Sequence, residues 1–99
     1  MKKIKVENYE YELIEEYKEG FNESEFKEKY TEYFYDFDYI LGDYSYNKLR
    51  LKGFCDKNNK RYNKINDISI KDEYLKTVCA YDCKYFVLKK VKKGWKKYN

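Results

Sequence analysis

The three cysteines are the residues whose type and spacing suggest redox or metal chemistry, since the 99 residues include no histidine. Cys79 and Cys83 are four residues apart, so one helical turn would place both sulfurs on one face, and Cys55 could be a third ligand. A structural zinc site takes four ligands, usually Cys or His, so an Asp would have to complete it. We therefore expect no metal and no cofactor, and interpret the cysteines as small, buried, reduced side chains.

The absence of histidine also excludes Ser-His and Cys-His catalytic pairs, so the sequence does not predict an enzyme. Paired carboxylates are the remaining candidates for acid–base chemistry, and Asp36, Asp38 and Asp43 could supply them. Asp36 is predicted to end a helix, and nothing in the pattern would separate the pKa values of the three groups. We interpret these carboxylates as solvated groups at a helix end.

Two glycine-containing pairs, Gly42-Asp43 and Gly53-Phe54, flank a predicted β-hairpin. A glycine within a strand usually marks a bulge or a close approach of another group, which favours a twisted hairpin packed on a helix. Arg50 is one of two arginines in a lysine-rich chain, and its planar donor fork suits carboxylate or phosphate recognition. The alternative to simple packing is a partner-binding surface that comprises Asp43, Tyr44, Tyr46, Arg50 and Lys52.

The C-terminal segment combines lysines with aromatic residues and forms the best argument for nucleic-acid binding. Lysine ammonium groups can displace condensed counterions, and a tryptophan can stack on an unpaired base. A solvated tail without a partner is the alternative. The candidate nucleic-acid-binding residues are Lys89, Lys90, Lys92, Lys93, Trp95, Lys96 and Lys97.

The net charge of +4 conceals a strong asymmetry between the two halves of the chain. Residues 1–47 hold 6 Lys and 13 acidic residues, whereas residues 48–99 hold 16 Lys or Arg and 5 acidic residues. Such asymmetry suggests either a nucleic-acid partner, an acidic protein partner, or mutual neutralisation of the two halves in the fold.

The hydrophobic pattern predicts a single α+β domain, with a mostly antiparallel sheet and two helices in the order β-β-α-β-β-α-β. This domain is expected to span residues 1–91, followed by a basic tail at residues 92–99. Strands are predicted at residues 2–6, 9–17, 38–44, 47–55 and 85–91, with helices at 22–36 and 70–78. A Ser45-Tyr46 connection joins the third and fourth strands, and residues 56–67 form a polar loop.

The helix at residues 22–36 has the clearest signals. Asn22 and Glu25 have the spacing of a capping box, and Phe21 is placed to form a hydrophobic staple with Phe26. The apolar stripe of this helix is predicted to pack in the core, and it consists of Phe26, Tyr30, Tyr33, Phe34 and Phe37.

Several stretches of the chain resemble the YutD-like proteins of low-GC Gram-positive bacteria. The resemblance extends from about Tyr9 to Val91 and is carried by Tyr11-Glu12-Leu13-Ile14, Gly20-Phe21-Asn22, Asp38-Tyr39-Ile40-Leu41-Gly42-Asp43, Leu49-Arg50-Leu51-Lys52-Gly53-Phe54, Cys79, Cys83 and Tyr85-Phe86-Val87-Leu88. It implies a small α+β fold in a cytoplasmic bacterial protein. It implies no particular activity, although members are sometimes labelled transcriptional regulators.

Two hypotheses for function follow from the sequence. The first is a non-enzymatic accessory protein that binds RNA or DNA, with RNA favoured over a DNA operator. Neither a helix-turn-helix spacing nor an RNA-recognition signature is visible, which weakens the label of transcriptional regulator. The alternative is a protein–protein adaptor that uses the acidic N-terminal half or the Gly42–Phe54 hairpin. No apolar run approaches the roughly 20 residues that a membrane-spanning helix needs, so no membrane partner is expected.

Overall fold

One five-stranded antiparallel sheet organises the chain, as a computed structural model that describes residues 2–78 and 83–91 shows. The predicted α+β class and the order of the seven main elements are confirmed. The strands are β1 (Lys3–Val6), β2 (Tyr9–Tyr17), β3 (Tyr39–Ser45), β4 (Lys48–Phe54) and β5 (Tyr85–Lys90), and the helices are α1 (Glu23–Lys29) and α2 (Lys71–Val78). Three short 3₁₀ segments accompany them, at Glu32–Phe34, Lys64–Asn66 and Ile68–Ile70.

The last strand in the sequence lies at the centre of the sheet. The spatial order is β1-β2-β5-β3-β4, so β5 pairs with β2 on one side and with β3 on the other. Phe86, Val87 and Leu88 are fully buried, which confirms the prediction that this strand is covered on both faces. Consequently β1 and β4 are the two edge strands.

The predicted helix at residues 22–36 is wrong in its length. Asn22 caps α1 by accepting a hydrogen bond from the Glu25 amide, but the helix ends at Lys29. Tyr30 and Thr31 are extended, and Thr31 then caps a separate 3₁₀ turn by accepting from the Tyr33 amide. The break changes the direction of the aromatic residues that follow it, so they pack along the sheet rather than along one helix face.

The aromatic stripe is confirmed as core at four of its five positions. Phe26, Tyr30, Phe34 and Phe37 are buried against one face of the sheet. Tyr33 is instead 61% exposed, because it lies in the 3₁₀ turn that follows the break. The stripe therefore leaves one aromatic side chain on the surface.

A pair of tyrosine hydroxyls lies within this core. The Tyr11 and Tyr30 hydroxyl oxygens are 2.8 Å apart, and both residues are buried. Burial raises the pKa of Tyr11 far above its ordinary value, and it raises the pKa of Tyr30 as well. One hydroxyl donates to the other, and within the described part of the chain neither makes another hydrogen bond, so the two residues depend on one another.

The opposite face of the sheet is covered by α2 and the 3₁₀ turn before it. Asp67 caps that turn by accepting from the Ser69 amide, and Tyr74 and Leu75 of α2 pack on Leu41 and Phe54. Within the two described ranges, no helix is long and apolar enough to cross a bilayer.

The turn between β3 and β4 lies one residue later than predicted. It comprises Tyr46 and Asn47, which both have positive φ (54° and 64°), whereas Ser45 still pairs with Lys48. A two-residue hairpin needs this left-handed backbone because its twist then matches that of the strands. Neither residue is glycine, which is why the usual sequence signal was absent.

Removing one hydroxyl of the tyrosine pair should destabilise the fold. Tyr11→Phe or Tyr30→Phe is expected to lower the free energy of unfolding by about 1–2 kcal/mol, since the remaining hydroxyl stays buried without a partner. The double variant should lose less than the sum of the two, because it leaves no unpaired group. Urea unfolding followed by circular dichroism measures these values, and strictly additive losses would contradict the pairing.

The same pair predicts a loss of stability in alkali. In the unfolded chain both tyrosines ionise near pH 10, whereas in the folded protein their pKa values are raised. Their contribution is therefore complete below about pH 10 and is lost as the pH rises above it. The double Phe variant should show a shallower decline above pH 10 than the wild type, and parallel declines would refute this assignment.

Candidate functional site

Asp43 and Arg50 form an ion pair across the hairpin rather than an exposed recognition surface. They are directly opposite in the β3–β4 register, and the Arg50 guanidinium donates to the Asp43 carboxylate at 2.6 Å. Asp43 is only 1% exposed, and Arg50 also donates to the Val78 carbonyl at the end of α2 at 2.9 Å. The hydrogen bond from Arg50 to Asp43 raises the pKa of Arg50. Because Arg50 contacts both Asp43 in the sheet and Val78 in α2, it holds the end of α2 against the sheet.

The other predicted hairpin residues point in different directions. Tyr44 donates to Glu25 at 2.6 Å and has the Lys84 ammonium 4.4 Å from its ring centre, so it ties the sheet to α1. Lys52 lies on the opposite face, over the rings of Phe54 and Tyr74. Only Tyr46, at the hairpin tip, is fully available, with 97% of its surface exposed. The five residues therefore do not form one surface.

The basic segment is described only in part. Lys89 is exposed, whereas Lys90 donates to the Tyr35 carbonyl at 2.6 Å and lies over the Tyr9 ring. The remaining predicted nucleic-acid-binding residues lie outside the described residues, namely Lys92, Lys93, Trp95, Lys96 and Lys97.

Cys55 and Cys83 are in different chemical states. Cys55 is a free, fully buried thiol at the end of β4, and burial raises its pKa, which disfavours the nucleophilic thiolate. Cys83 is disulfide-bonded and half-buried, contrary to the expectation of a reduced, buried thiol. That expectation assumed the reducing environment of a cytoplasm. The spacing of the cysteines gives no information about that environment. Cys79 lies outside the described residues.

The interpretation of the three carboxylates as solvated groups at a helix end is wrong for Asp43, which is buried against Arg50. Asp36 is exposed and pairs with Arg61 at 3.1 Å, while Asp38 accepts hydrogen bonds from the Asp56 amide and the Asn59 side chain. In the described ranges no three His, Cys, Asp or Glu side chains converge on a point where a metal ion could be held.

The outer edge of β4 carries a row of backbone groups close to a cavity. The Tyr44 amide donates to Lys84 and the Lys90 amide donates to Asp38, so even-numbered residues of β3 pair with β5. Odd-numbered residues of β3 must then pair with β4, because backbone groups alternate in direction along a strand. The register places even-numbered residues of β4 opposite them, which leaves the amides and carbonyls of Leu49, Leu51 and Gly53 directed outward. Within the described part of the chain these groups make no hydrogen bond.

A cavity of about 270 Å³ adjoins this edge, and we call it the β4 groove. Its floor is Gly53 over Phe37, where a methyl group on the glycine would come within 2.4 Å of the Phe37 ring. Its rim carries Tyr33 and Ile65, which are 61% and 72% exposed. Only two further large hydrophobic residues of the described chain, Tyr17 and Tyr46, are exposed, so half of these residues surround one cavity. The residues that line the groove include Tyr33, Phe37, Leu51, Gly53, Arg61 and Ile65.

The far wall of the groove is a loop fixed by its own asparagines. The Asn63 side chain accepts from the amides of Ile65 and Asn66, and the Asn66 side chain accepts from the Asn63 amide in return. Asn66 also donates to the Arg61 carbonyl at 2.9 Å. This reciprocal capping holds Ile65 in an exposed position, although apolar side chains normally avoid it.

The groove was not predicted from the sequence. Tyr33 belongs to a core stripe by its spacing, and Ile65 is an isolated apolar residue in a polar loop. The Asn63–Asn66 spacing is the one signal that could have revealed an ordered turn there.

Three comparisons place the chain among known proteins. A family model described as "YutD-like: Putative antitoxin YutD-like" matches residues 5–89. "Putative antitoxin YutD" of Bacillus subtilis (strain 168) is 44% identical over 90 residues, which cover 91% of this chain and 99% of that protein. This chain belongs to the YutD-like family. The resemblance inferred from the sequence is thereby confirmed.

A solved structure supports the fold of this YutD-like protein. The solution NMR structure of protein yutD from B. subtilis superposes with a TM-score of 0.79 at 43% identity, covering 94% of this chain and 84% of that one. The family match includes all of β3 and β4 and the loop with Ile65, so the β4 groove lies within the family domain.

Arg50 should behave as a structural residue. Arg50→Met is expected to lower the free energy of unfolding by about 1–3 kcal/mol, because it leaves the buried Asp43 carboxylate unpaired while Arg50 itself is half-exposed. Adding Asp43→Asn should recover part of the loss, since a neutral amide is less costly to bury.

Lys48→Met is the matched control, since Lys48 is an exposed residue of the same strand. Its effect on urea unfolding should stay within about 0.5 kcal/mol. If Arg50→Met were no more destabilising than Lys48→Met, the pair would have no structural role.

Proposed function

We propose that this YutD-like protein is a non-enzymatic, antitoxin-type protein that acts by binding a protein partner. The observation that carries the proposal is the β4 groove, where exposed Tyr33 and Ile65 adjoin unpaired backbone groups of β4. Exposed apolar side chains concentrated around a cavity are typical of interaction sites, whereas scattered ones are not. The name of its B. subtilis relative, "Putative antitoxin YutD", supports the same class of function.

The contacts of the basic residues favour a protein partner over a nucleic acid. Arg50 pairs with Asp43, Lys71 pairs with Glu15 and Asp72, and Lys90 donates to the Tyr35 carbonyl. These cations, from the strongly basic half of the sequence, stabilise the fold instead of forming a phosphate-binding surface. Mutual neutralisation of the two halves therefore accounts for part of the charge asymmetry.

Nucleic-acid binding is a second candidate, because one loop offers several exposed cations. The loop between β4 and α2 carries four exposed cations, Lys57, Lys60, Arg61 and Lys64, and β5 carries exposed Lys89. A surface of this kind can bind phosphates without sequence preference.

A reconstituted complex tests the proposal. The partner recovered by crosslinking in the native cell is expressed on its own, purified, and mixed with this protein. We expect a complex of fixed stoichiometry in size-exclusion chromatography with light scattering, and we expect expression of the partner alone to slow growth until this protein is co-expressed. The absence of a stoichiometric complex would overturn protein binding, and a harmless partner would overturn the antitoxin role.

Titration against generic RNA and DNA at low and moderate salt is the control that separates the two candidates. A protein-binding role predicts no tight binding at moderate salt. A log–log slope of about −0.7 to −0.9 per phosphate contacted, together with tight binding at physiological salt, would favour the nucleic-acid role instead.

A further inference from the structure

We infer that the β4 groove binds an extended segment of the partner protein, which adds to the sheet as a sixth strand beside β4 and inserts an apolar side chain between Tyr33 and Ile65. The inference rests on the proposed function, and it specifies the chemistry of the segment: alternating apolar residues flanked by acidic ones. Three independent features of the groove lead to it.

The first feature is the set of backbone groups at the edge. Leu49, Leu51 and Gly53 direct their amides and carbonyls outward, and in the described chain these make no hydrogen bond. An extended peptide can pair with such a row of donors and acceptors, and the main-chain hydrogen bonds then supply affinity without requiring a particular sequence. Leu49 is buried, Leu51 is partly buried against the same core, and Gly53 has no side chain, so these positions do not obstruct an added strand.

The second feature is the position of the cavity relative to that edge. The groove is lined by Leu51 and Gly53 themselves, so a strand paired with β4 would place alternate side chains over it. Its volume of about 270 Å³ accommodates a side chain of the size of Phe or Leu. Tyr33 and Ile65 would then lose their exposure to water, which favours an apolar side chain at that position.

The third feature is the charge around the groove. Arg61 donates to Asp36 through its Nε atom, while its two terminal nitrogens make no hydrogen bond in the described chain. Lys57, Lys60 and Lys64 are exposed on the same loop.

The nearby carboxylates are already engaged. Asp38 accepts from Asp56 and Asn59, and Asp67 accepts from Tyr62 and Ser69. An acidic segment therefore complements the loop better than a basic one.

The wall formed by residues 63–66 is already fixed by its asparagine hydrogen bonds, so little further ordering is needed on binding. β1, the other edge strand of the described sheet, is less suited to accepting an added strand. It has four residues against seven in β4, so a peptide could form fewer main-chain hydrogen bonds with it. We therefore assign the partner segment to β4.

A defined peptide tests the mode of binding independently of the partner. The probe is acetyl-DVEFEVD-amide, with acetyl-KVKFKVK-amide as the charge control and acetyl-DVPFPVD-amide as a control that cannot form a strand. In ¹⁵N-labelled protein, we expect the acidic peptide to slow hydrogen exchange of the Leu49, Leu51 and Gly53 amides. The Arg50 and Lys52 amides already pair with β3 and should change little. Equal effects of the three peptides, or protection absent from β4, would overturn the inference.

Substitutions at the rim test which side chains matter. Ile65→Ser, Tyr33→Ser and Arg61→Gln should each weaken binding of the acidic peptide by about tenfold, as expected for central interface residues. The matched controls are Tyr46→Ser and Lys76→Gln, which alter exposed residues away from the groove and should leave the affinity unchanged. Far-ultraviolet circular dichroism confirms that all five variants remain folded.

The reconstituted partner complex separates this inference from the proposed function. If the complex forms and the same three variants weaken it, both are supported. If it forms but the variants leave its affinity unchanged, the groove is not the binding site although the protein-binding function stands. A wild-type protein that dimerises with protection at β4 would instead assign the edge to a second copy of this chain.

Discussion

The close packing of β5 between β2 and β3 is the constraint on which the rest of the structure depends. Phe86 needs the space above Gly42, where a methyl group would lie 2.2 Å from its ring, and Gly20 must lie against the Tyr85 backbone. With β5 in place, Phe86 and Leu88 face α1 and the aromatic residues after it, while Val87 faces α2. Both layers therefore depend on β5, which follows the other four strands in the described chain.

The charges of the two halves are largely organised by this topology. β1 and β5 carry lysines on either side of the acidic strand β2, so Glu12 is paired in register with Lys3 and with Lys89. Buried or half-buried pairs, such as Asp43 with Arg50 and Glu15 with Lys71, fix the covering helix α2 and the turn before it. Charge in this protein thus serves packing first. Four exposed cations, Lys57, Lys60, Arg61 and Lys64, lie on the loop beside the β4 groove.

The sequence-based predictions of structure were accurate where a local pattern has a local physical cause. Alternation along β4 correctly separated Leu49 and Leu51 from Arg50, and the run from Phe86 to Leu88 correctly indicated a doubly covered strand. It failed where a tertiary contact overrides the pattern. The helix ends at Lys29 although the apolar spacing continues, and Tyr33 is exposed although it fits the stripe. Arg50 stands out in the sequence for recognition chemistry, yet its partner is a buried carboxylate of the same hairpin.

The sequence by itself determined the α+β class, the order of the elements, the family and the absence of histidine-based catalysis. These follow from residue types and from the periods of strands and helices, which are local properties of the chain. Only the tertiary structure decided that β4 is an edge strand and that Tyr33, Gly53 and Ile65 surround one cavity. The physical reason is that strand order and the meeting of residues far apart in the chain depend on how two packed faces close, and no local pattern encodes that closure.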